Sequence, residues 1–178
     1  MTVDQSTPIG DISNARSLRR AFSAFATGVT VVTTGAPPHA MTANSFTSVS
    51  LDPPLVLICV DRGAVMHQCL TMTPHFGVSV LASHQEAMAR HFADRWRTLG
   101  AAQFDGVDWR PGETTGVPLM EEALAHFECE LWRSYDGGDH TVFIGRVLSM
   151  NQWADREPLL VFRGGFQKVC SNWDEVPG

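Results

Sequence analysis

Near its C-terminal end the chain carries two long strand-like runs joined by one tight turn, and few folds accommodate such a pair. Residues 125–139 (AHFECELWRSYDGGD) and 140–153 (HTVFIGRVLSMNQW) are rich in β-branched and aromatic side chains. Asp136-Gly137-Gly138-Asp139 joins them, and glycine supplies the positive φ that a tight hairpin turn demands. A two-stranded ribbon is barely stable in water, so this one predicts a larger antiparallel sheet around it.

The rest of the chain supplies the other strands. GVTVVTT (28–34) is a β-branched run that ends at Ala36-Pro37-Pro38. HAMTANSFTSVSL (39–51) reads as one strand stopped by Asp52-Pro53-Pro54, and PLVLICVD (54–61) is apolar enough to be buried on both faces. HFGVSVLA (75–82) alternates, and PLLVFRGGFQKV (158–169) is a last strand broken at Gly164-Gly165. Helices fall irregularly between them. Asn14 caps a first helix with Leu18, Phe22 and Phe25 on one side and Arg16, Arg19 and Arg20 on the other; AVMHQCLTM (64–72) forms a second, and Ser83 caps a third through HQEAMARHFADRW. From Thr98 to Glu122, four glycines and two prolines break any periodicity, so this segment is either a functional flap or a surface loop. The pattern predicts a mainly β fold with helices, a Greek-key-like antiparallel barrel, rather than a doubly wound parallel sheet. Consistent with that, no G-x-G-x-x-G follows a strand and no P-loop motif is present.

Charge and apolar runs exclude several functions. With 19 acidic against 13 basic residues among 178, the formal charge of −6 opposes nucleic-acid binding through phosphate neutralisation. The longest apolar run, Leu55 to Val60, falls far short of the ~20 residues of a membrane span. The N-terminus is polar, with Asp4 and Asp11, and lacks the basic start and apolar core of a secretory signal, so a cytoplasmic location is expected. Residues 1–13 read as a flexible arm and 14–178 as a single domain. Cys59, Cys69, Cys129 and Cys170 show no C-x-x-C spacing, so reduced thiols and no metal site are expected.

The stretch from Met41 to Ser50 is chemically the most unusual. Read as a continuous strand, it places Thr42, Asn44, Phe46, Ser48 and Ser50 on one face. Short hydroxyls and an amide suit a neutral, planar, hydrogen-bonding ligand, although a solvated strand face has the same composition. His140, at the hairpin's exit, is held by a ladder yet able to project into a cleft. No G-x-S-x-G elbow or obvious acid pair announces covalent or acid–base catalysis.

Five ordered blocks carry a resemblance: FATGVTVVTT (25–34), MTANSFTSVSLDPPLVLICVD (41–61), FGVSVLA with HFADR (76–82 and 91–95), GGDHTVFIGRV (137–147) and PLLVFRGGF (158–166). From about Ser17 to Phe166 the chain resembles the short-chain flavin reductases, whose flavin-binding split barrels serve two-component flavin monooxygenases. The resemblance implies an NAD(P)H-dependent flavin reductase that takes FAD or FMN and NADH, with NADPH possible. It implies a homodimer and a partner flavin-dependent monooxygenase that receives the reduced flavin. By the same analogy, Thr42, Ala43, Asn44 and Ser45 meet the isoalloxazine with Phe46 nearby, and Ser48, Val49 and Ser50 lie towards the ribityl chain and phosphate. Cys59, Asp61 and Arg62 are further contacts, and His91, Phe92 and Arg95 are candidates for the phosphate or adenylate end. His140 corresponds to the histidine on the nicotinamide side, where it positions the carboxamide or ribose. Phe166 stands where many relatives have tyrosine, which keeps stacking but removes a phenolic hydrogen bond. Two other readings stay open: a flavoprotein that holds its flavin tightly and passes electrons to another acceptor, and a non-enzymatic flavin- or haem-binding split barrel.

Overall fold

A computed structural model describes residues 11–169. Most of the arm expected over residues 1–13, and the thiol at Cys170, lie outside them. Along the chain run α1 (Ala15–Phe22), β1 (Thr27–Gly28), β2 (Thr30–Gly35), β3 (Pro38–Ala43), β4 (Thr47–Leu51), β5 (Pro54–Asp61), α2 (Val65–Met72), β6 (His75–Val80) and α3 (Glu86–Ala93). A 3-10 turn at Gly100–Phe104 follows, then β7 (Trp109–Pro111), β8 (Pro118–Met120), β9 (Ala125–Gly137), β10 (His140–Gln152), β11 (Leu159–Phe162) and β12 (Gly165–Lys168).

The C-terminal hairpin is the centre of the architecture. A seven-stranded antiparallel sheet has the order β3-β2-β6-β9-β10-β5-β4, so the hairpin bridges two groups of strands from the first half of the chain. The sheet curls on itself. Val32 of β2, Ala43 of β3, Ile58 of β5, Phe76 of β6 and Phe143 of β10 meet in one buried cluster, although β3 and β5 are far apart in strand order. Met66 and Leu70 of α2 join this interior. Two register shifts in the β9–β10 ladder, at Ile144/Gly145 and Val147/Ser149, add the bend that closure needs. At Gly145 the curvature brings the ring of Phe76 so close that a Cβ would lie 2.4 Å from its Cζ.

A second apolar cluster lies outside the barrel wall. Val31 faces opposite to its neighbour Val32 and packs with Ala89 and Phe92 of α3, Phe104, Met120 and Leu159. Both faces of β2 are therefore buried, whereas β5 alternates, with Val56, Ile58 and Val60 buried and Leu55, Leu57 and Cys59 half-buried. The expectation that 54–61 is buried on both faces is corrected by that alternation. A smaller sheet of β1, β11 and β12 flanks the wall.

Four other expectations change. The run 28–34 is two strands, because β1 leaves β2 to pair with β11. The third helix spans only Glu86–Ala93, and its N-cap position is Gln85, not Ser83; the Gln85 side chain instead bonds Ala82 and Glu121. The segment 98–122 is neither flap nor loose loop. Its β7–β8 hairpin buries Val117, Leu119 and Met120, and the buried Glu128 carboxylate accepts hydrogen bonds from Thr114 N (3.1 Å), Thr115 N (2.6 Å) and Thr115 Oγ1 (2.7 Å). Burial raises the Glu128 pKa, but these bonds outweigh it and hold the carboxyl below its ordinary range. The last strand folds back on itself as β11 and β12, through a turn in which Arg163 and Gly164 have φ of 50° and 79°.

Candidate functional site

The hydroxyl-rich run 39–51 is not one strand. It breaks at Asn44–Phe46, and β3 and β4 lie at opposite ends of the strand order, so the single face expected for Thr42, Asn44, Phe46, Ser48 and Ser50 does not exist. The reason is a long-range hydrogen bond pair. Ser45 Oγ accepts from Cys59 N (2.9 Å) and donates to Cys59 O (3.1 Å), fastening the turn to β5 as a backbone partner would. Beyond the turn, Val49 is the extra residue of a bulge in β4, and Ser48 and Val49 are exposed. Asn44 is exposed as well, whereas Phe46 turns inward, 5.4 Å from the Phe127 ring.

A cleft of about 600 Å³ opens between β3, the end of β5 and the segment after α3. Four residues expected at the site line it: Thr42, Asp61, Phe92 and Arg95. Thr42 Oγ1 donates to Ala89 O (2.7 Å), which ties β3 to α3 and leaves the hydroxyl oxygen free to accept. Asp61 ends β5, and its carboxylate accepts from Gly63 N (2.7 Å), shaping the turn at the cleft floor. Ala43 sits in the barrel interior immediately behind Thr42.

His140 stands beside the cleft, directly across the β5–β10 ladder from Asp61. Its Nδ1 lies 2.7 Å from Asp139 Oδ1, and that bond lowers the Asp139 pKa. The neighbouring Arg62 pairs with Asp136 (2.9 Å) and turns its Nε towards His140 O (3.4 Å). Arg62 is thus spent on the hairpin turn and is not among the cleft's lining residues. Cys59 is half-buried, and burial raises its thiol pKa, which disfavours a reactive thiolate.

Three other expected residues lie elsewhere. His91 Nε2 is 2.8 Å from Gln103 O, and its ring lines a separate cavity of about 420 Å³ with Asp105 and Glu121. Phe166 sits on β12 in the outer cluster, with the Arg90 guanidinium 4.9 Å from its ring centroid. Ser50 is half-buried on edge strand β4 and does not line the cleft.

Sequence reasoning missed the cleft's back wall. Arg97 lines it, with Nη1 bonded to Asp94 O (2.5 Å), Nη2 bonded to Ala40 O, and Nη2 3.4 Å from His39 Nε2. His39 is buried, and Gln103 Nε2 lies 3.3 Å from its Nδ1. A doubly protonated ring would aim both N–H groups at donors. Burial, then the Arg97 charge, hold its pKa down at about 4. Arg97 Nε is buried with no hydrogen-bond partner, as are Thr27 Oγ1, His126 Nδ1 and Arg146 Nε elsewhere in the fold. Spacing gave no hint of this pair, although a second arginine two residues after Arg95 was visible.

The donor set fits a flavin nucleotide. The cleft's size is that of a cofactor site, it offers a neutral hydroxyl at Thr42, and the Arg95 and Arg97 guanidiniums favour a phosphate-bearing ligand. Among the described residues there is no group of three or more side chains able to hold a metal ion. A curled antiparallel sheet with its cleft between one barrel edge and a covering helix defines the split-barrel class of flavin-binding proteins. The chain belongs to the flavin reductase family, because the family model described as "Flavin reductase like domain" matches residues 22–169.

Named relatives agree. The chain is 57% identical over 159 residues to a Streptomyces globisporus protein named NADH-dependent FAD reductase, covering 89% of this chain and 87% of that one. It superposes with a TM-score of 0.88 and 52% identity on the Streptomyces globisporus C-1027 NADH:FAD oxidoreductase SgcE6, solved in complex with NAD and FAD fragments; coverage is 93% and 99%. BorF, the flavin reductase component of a bacterial two-component tryptophan halogenase, aligns with a TM-score of 0.84 at 54% identity, covering 88% and 98%.

Proposed function

We propose that this chain is an NADH-dependent reductase of free FAD that hands the reduced flavin to a partner flavin-dependent monooxygenase. The observation that carries the reading is the cleft itself, which sets the hydroxyl of Thr42 and the guanidiniums of Arg95 and Arg97 around one space with His140 at its edge. A bound flavin supplies the acceptor for hydride from C4 of the nicotinamide. What the protein does is hold and orient. The exposed Asn44 amide, and backbone groups of the turn that Ser45 fixes, meet the ring; Arg95 and Arg97 face the phosphates. The exposed bulge at Ser48 and Val49 lies towards the ribityl chain where the ligand leaves the cleft, and Phe46 supports the turn from inside. His140, oriented by Asp139, positions the nicotinamide carboxamide or ribose without a required proton transfer.

The relatives' names support NADH and FAD, and BorF's role supports the two-component arrangement. No helix among the described residues is long and apolar enough to cross a membrane, and the protein works in the cytoplasm, where NADH is available. It works as a homodimer. Leu51 (93% exposed) on edge strand β4, Phe22 (70%) and Phe25 (78%) are large apolar side chains that pairing with a second copy would cover. A sedimentation mass near that of one chain overturns the dimer. Steady-state oxidation of NADH and NADPH with added FMN or FAD tests the activity, and no flavin-dependent oxidation with either nucleotide overturns it. Flavin lost on gel filtration supports its use as a substrate, whereas retained yellow colour supports a held prosthetic group.

A further inference from the structure

The segment between Arg95 and Arg97 carries a side chain that the fold does not use. Trp96 is 93% exposed. The other described tryptophans all have ring or cation partners: Trp109 with Phe104 (5.5 Å), Trp132 with Arg146 (5.5 Å), and Trp153 with His126 (4.9 Å) and Arg156 (5.0 Å). Among the described residues Trp96 has none, and an indole left in water forgoes the burial that usually places tryptophan in a fold.

Its backbone, by contrast, is tightly held. Trp96 N donates to Asp94 Oδ1 (2.9 Å), Asp94 N donates to Arg90 O (3.1 Å), and Arg97 Nη1 donates to Asp94 O. A turn fastened at three points therefore presents the ring, and both of its sequence neighbours line the cleft. Trp96 itself stands outside the cleft lining, between two arginines that belong to it, and an adenylate offers a part to each kind of side chain: its phosphates pair with arginine, and its purine stacks on an aromatic face. We infer that Trp96 is the stacking platform for the adenine of a dinucleotide that extends out of the cleft past Arg95, and that it sets the preference of this reductase for FAD over FMN.

This rests on the flavin-reductase reading, and FMN provides the internal reference because it lacks the adenylate. Both FAD and NADH carry adenine, so calorimetric affinities for FAD, FMN and 5′-AMP are paired with NADH KM values taken at saturating FMN. Trp96→Ala is expected to cut the FAD-to-FMN affinity ratio about tenfold and to weaken 5′-AMP similarly, with Trp96→Phe restoring most of it. A rise in NADH KM with the flavin ratio unchanged assigns the platform to the adenine of NADH and overturns the flavin preference. Unchanged values throughout, or a shift in sedimentation mass in place of affinity, overturn the stacking role. Wild-type protein that binds neither flavin refutes the reductase reading itself.

Discussion

The β3–β4 turn and the Asp94–Leu99 segment face the same ligand in the proposed reading but are built on opposite principles. At the turn, the Ser45 hydroxyl makes two neutral hydrogen bonds with the backbone of a barrel strand, and Phe46 plugs the interior behind it. Across the cleft, the segment after α3 relies on long cationic side chains and an exposed indole, with Arg97 reaching the buried, uncharged His39 of β3. One region is fixed by the barrel and is indifferent to charge. The other carries the charges, and responds to pH and salt. Ring recognition, common to all flavins, belongs on the first; discrimination among nucleotide tails belongs on the second.

The largest test of that contrast is acid. The folded-state pKa of His39 is about 4, against 6.5 when unperturbed, so between those values the unfolded chain binds the extra proton. Its contribution is fully present above pH 6.5 and is lost as pH falls towards 4, amounting to about 3 kcal/mol over that window. Urea midpoints measured from pH 7 to pH 4 should drop accordingly, and His39→Gln should flatten the profile. An identical profile in the variant would show that His39 does not carry the acid sensitivity.

Ser45→Ala attacks the other region. Leaving the Cys59 N–H and C=O without their partner should cost about 2 kcal/mol, read as a fall in Tm of about 4–8 °C. FAD and FMN turnover should decline together, since the ring end is shared. Arg95→Ala should leave Tm unchanged and raise the FAD Kd about tenfold, with less effect on FMN. The smallest effect is ionic. Raising salt from 0.05 to 0.5 M should weaken FAD binding about two- to threefold, because exposed charge pairs are screened over that range. Calorimetry at the two salt concentrations measures it, and an equal change for Ser45→Ala and Arg95→Ala proteins would erase the distinction between the regions.

Much of the barrel was legible because its signals are local. Turn glycines, alternating strands and the Asp52-Pro53-Pro54 stop identified the long hairpin and the borders of β5 and β6. The break inside 39–51 was not legible, since TANSFTSVS contains no glycine or proline and the bond that interrupts it comes from Cys59, 14 residues away. Likewise, the ordered course of 98–122 depends on Glu128, and the cleft's back wall on His39 meeting Arg97 across 58 residues. Of the residues singled out in the sequence, Thr42 and Asp61 line the cleft, each near the end of a strand that a ladder fixes. His91 lines the other cavity, because a step of one residue around α3 separates its side chain from that of Phe92.

The position of the long hairpin also dictates an order of events in time. During synthesis β2, β3 and β6 emerge first, with β4 and β5, yet in the finished sheet only β9 and β10 link the two groups. Until those strands leave the ribosome, β5 and β6 each have an unpaired edge, and Phe76 lacks the gap at Gly145 that it fills. The nascent chain therefore carries open β edges until β9 and β10 are made, and only then closes its barrel. Slow release or truncation before residue 152 exposes those edges to other chains, so the hairpin that joins the two strand groups governs the risk of aggregation.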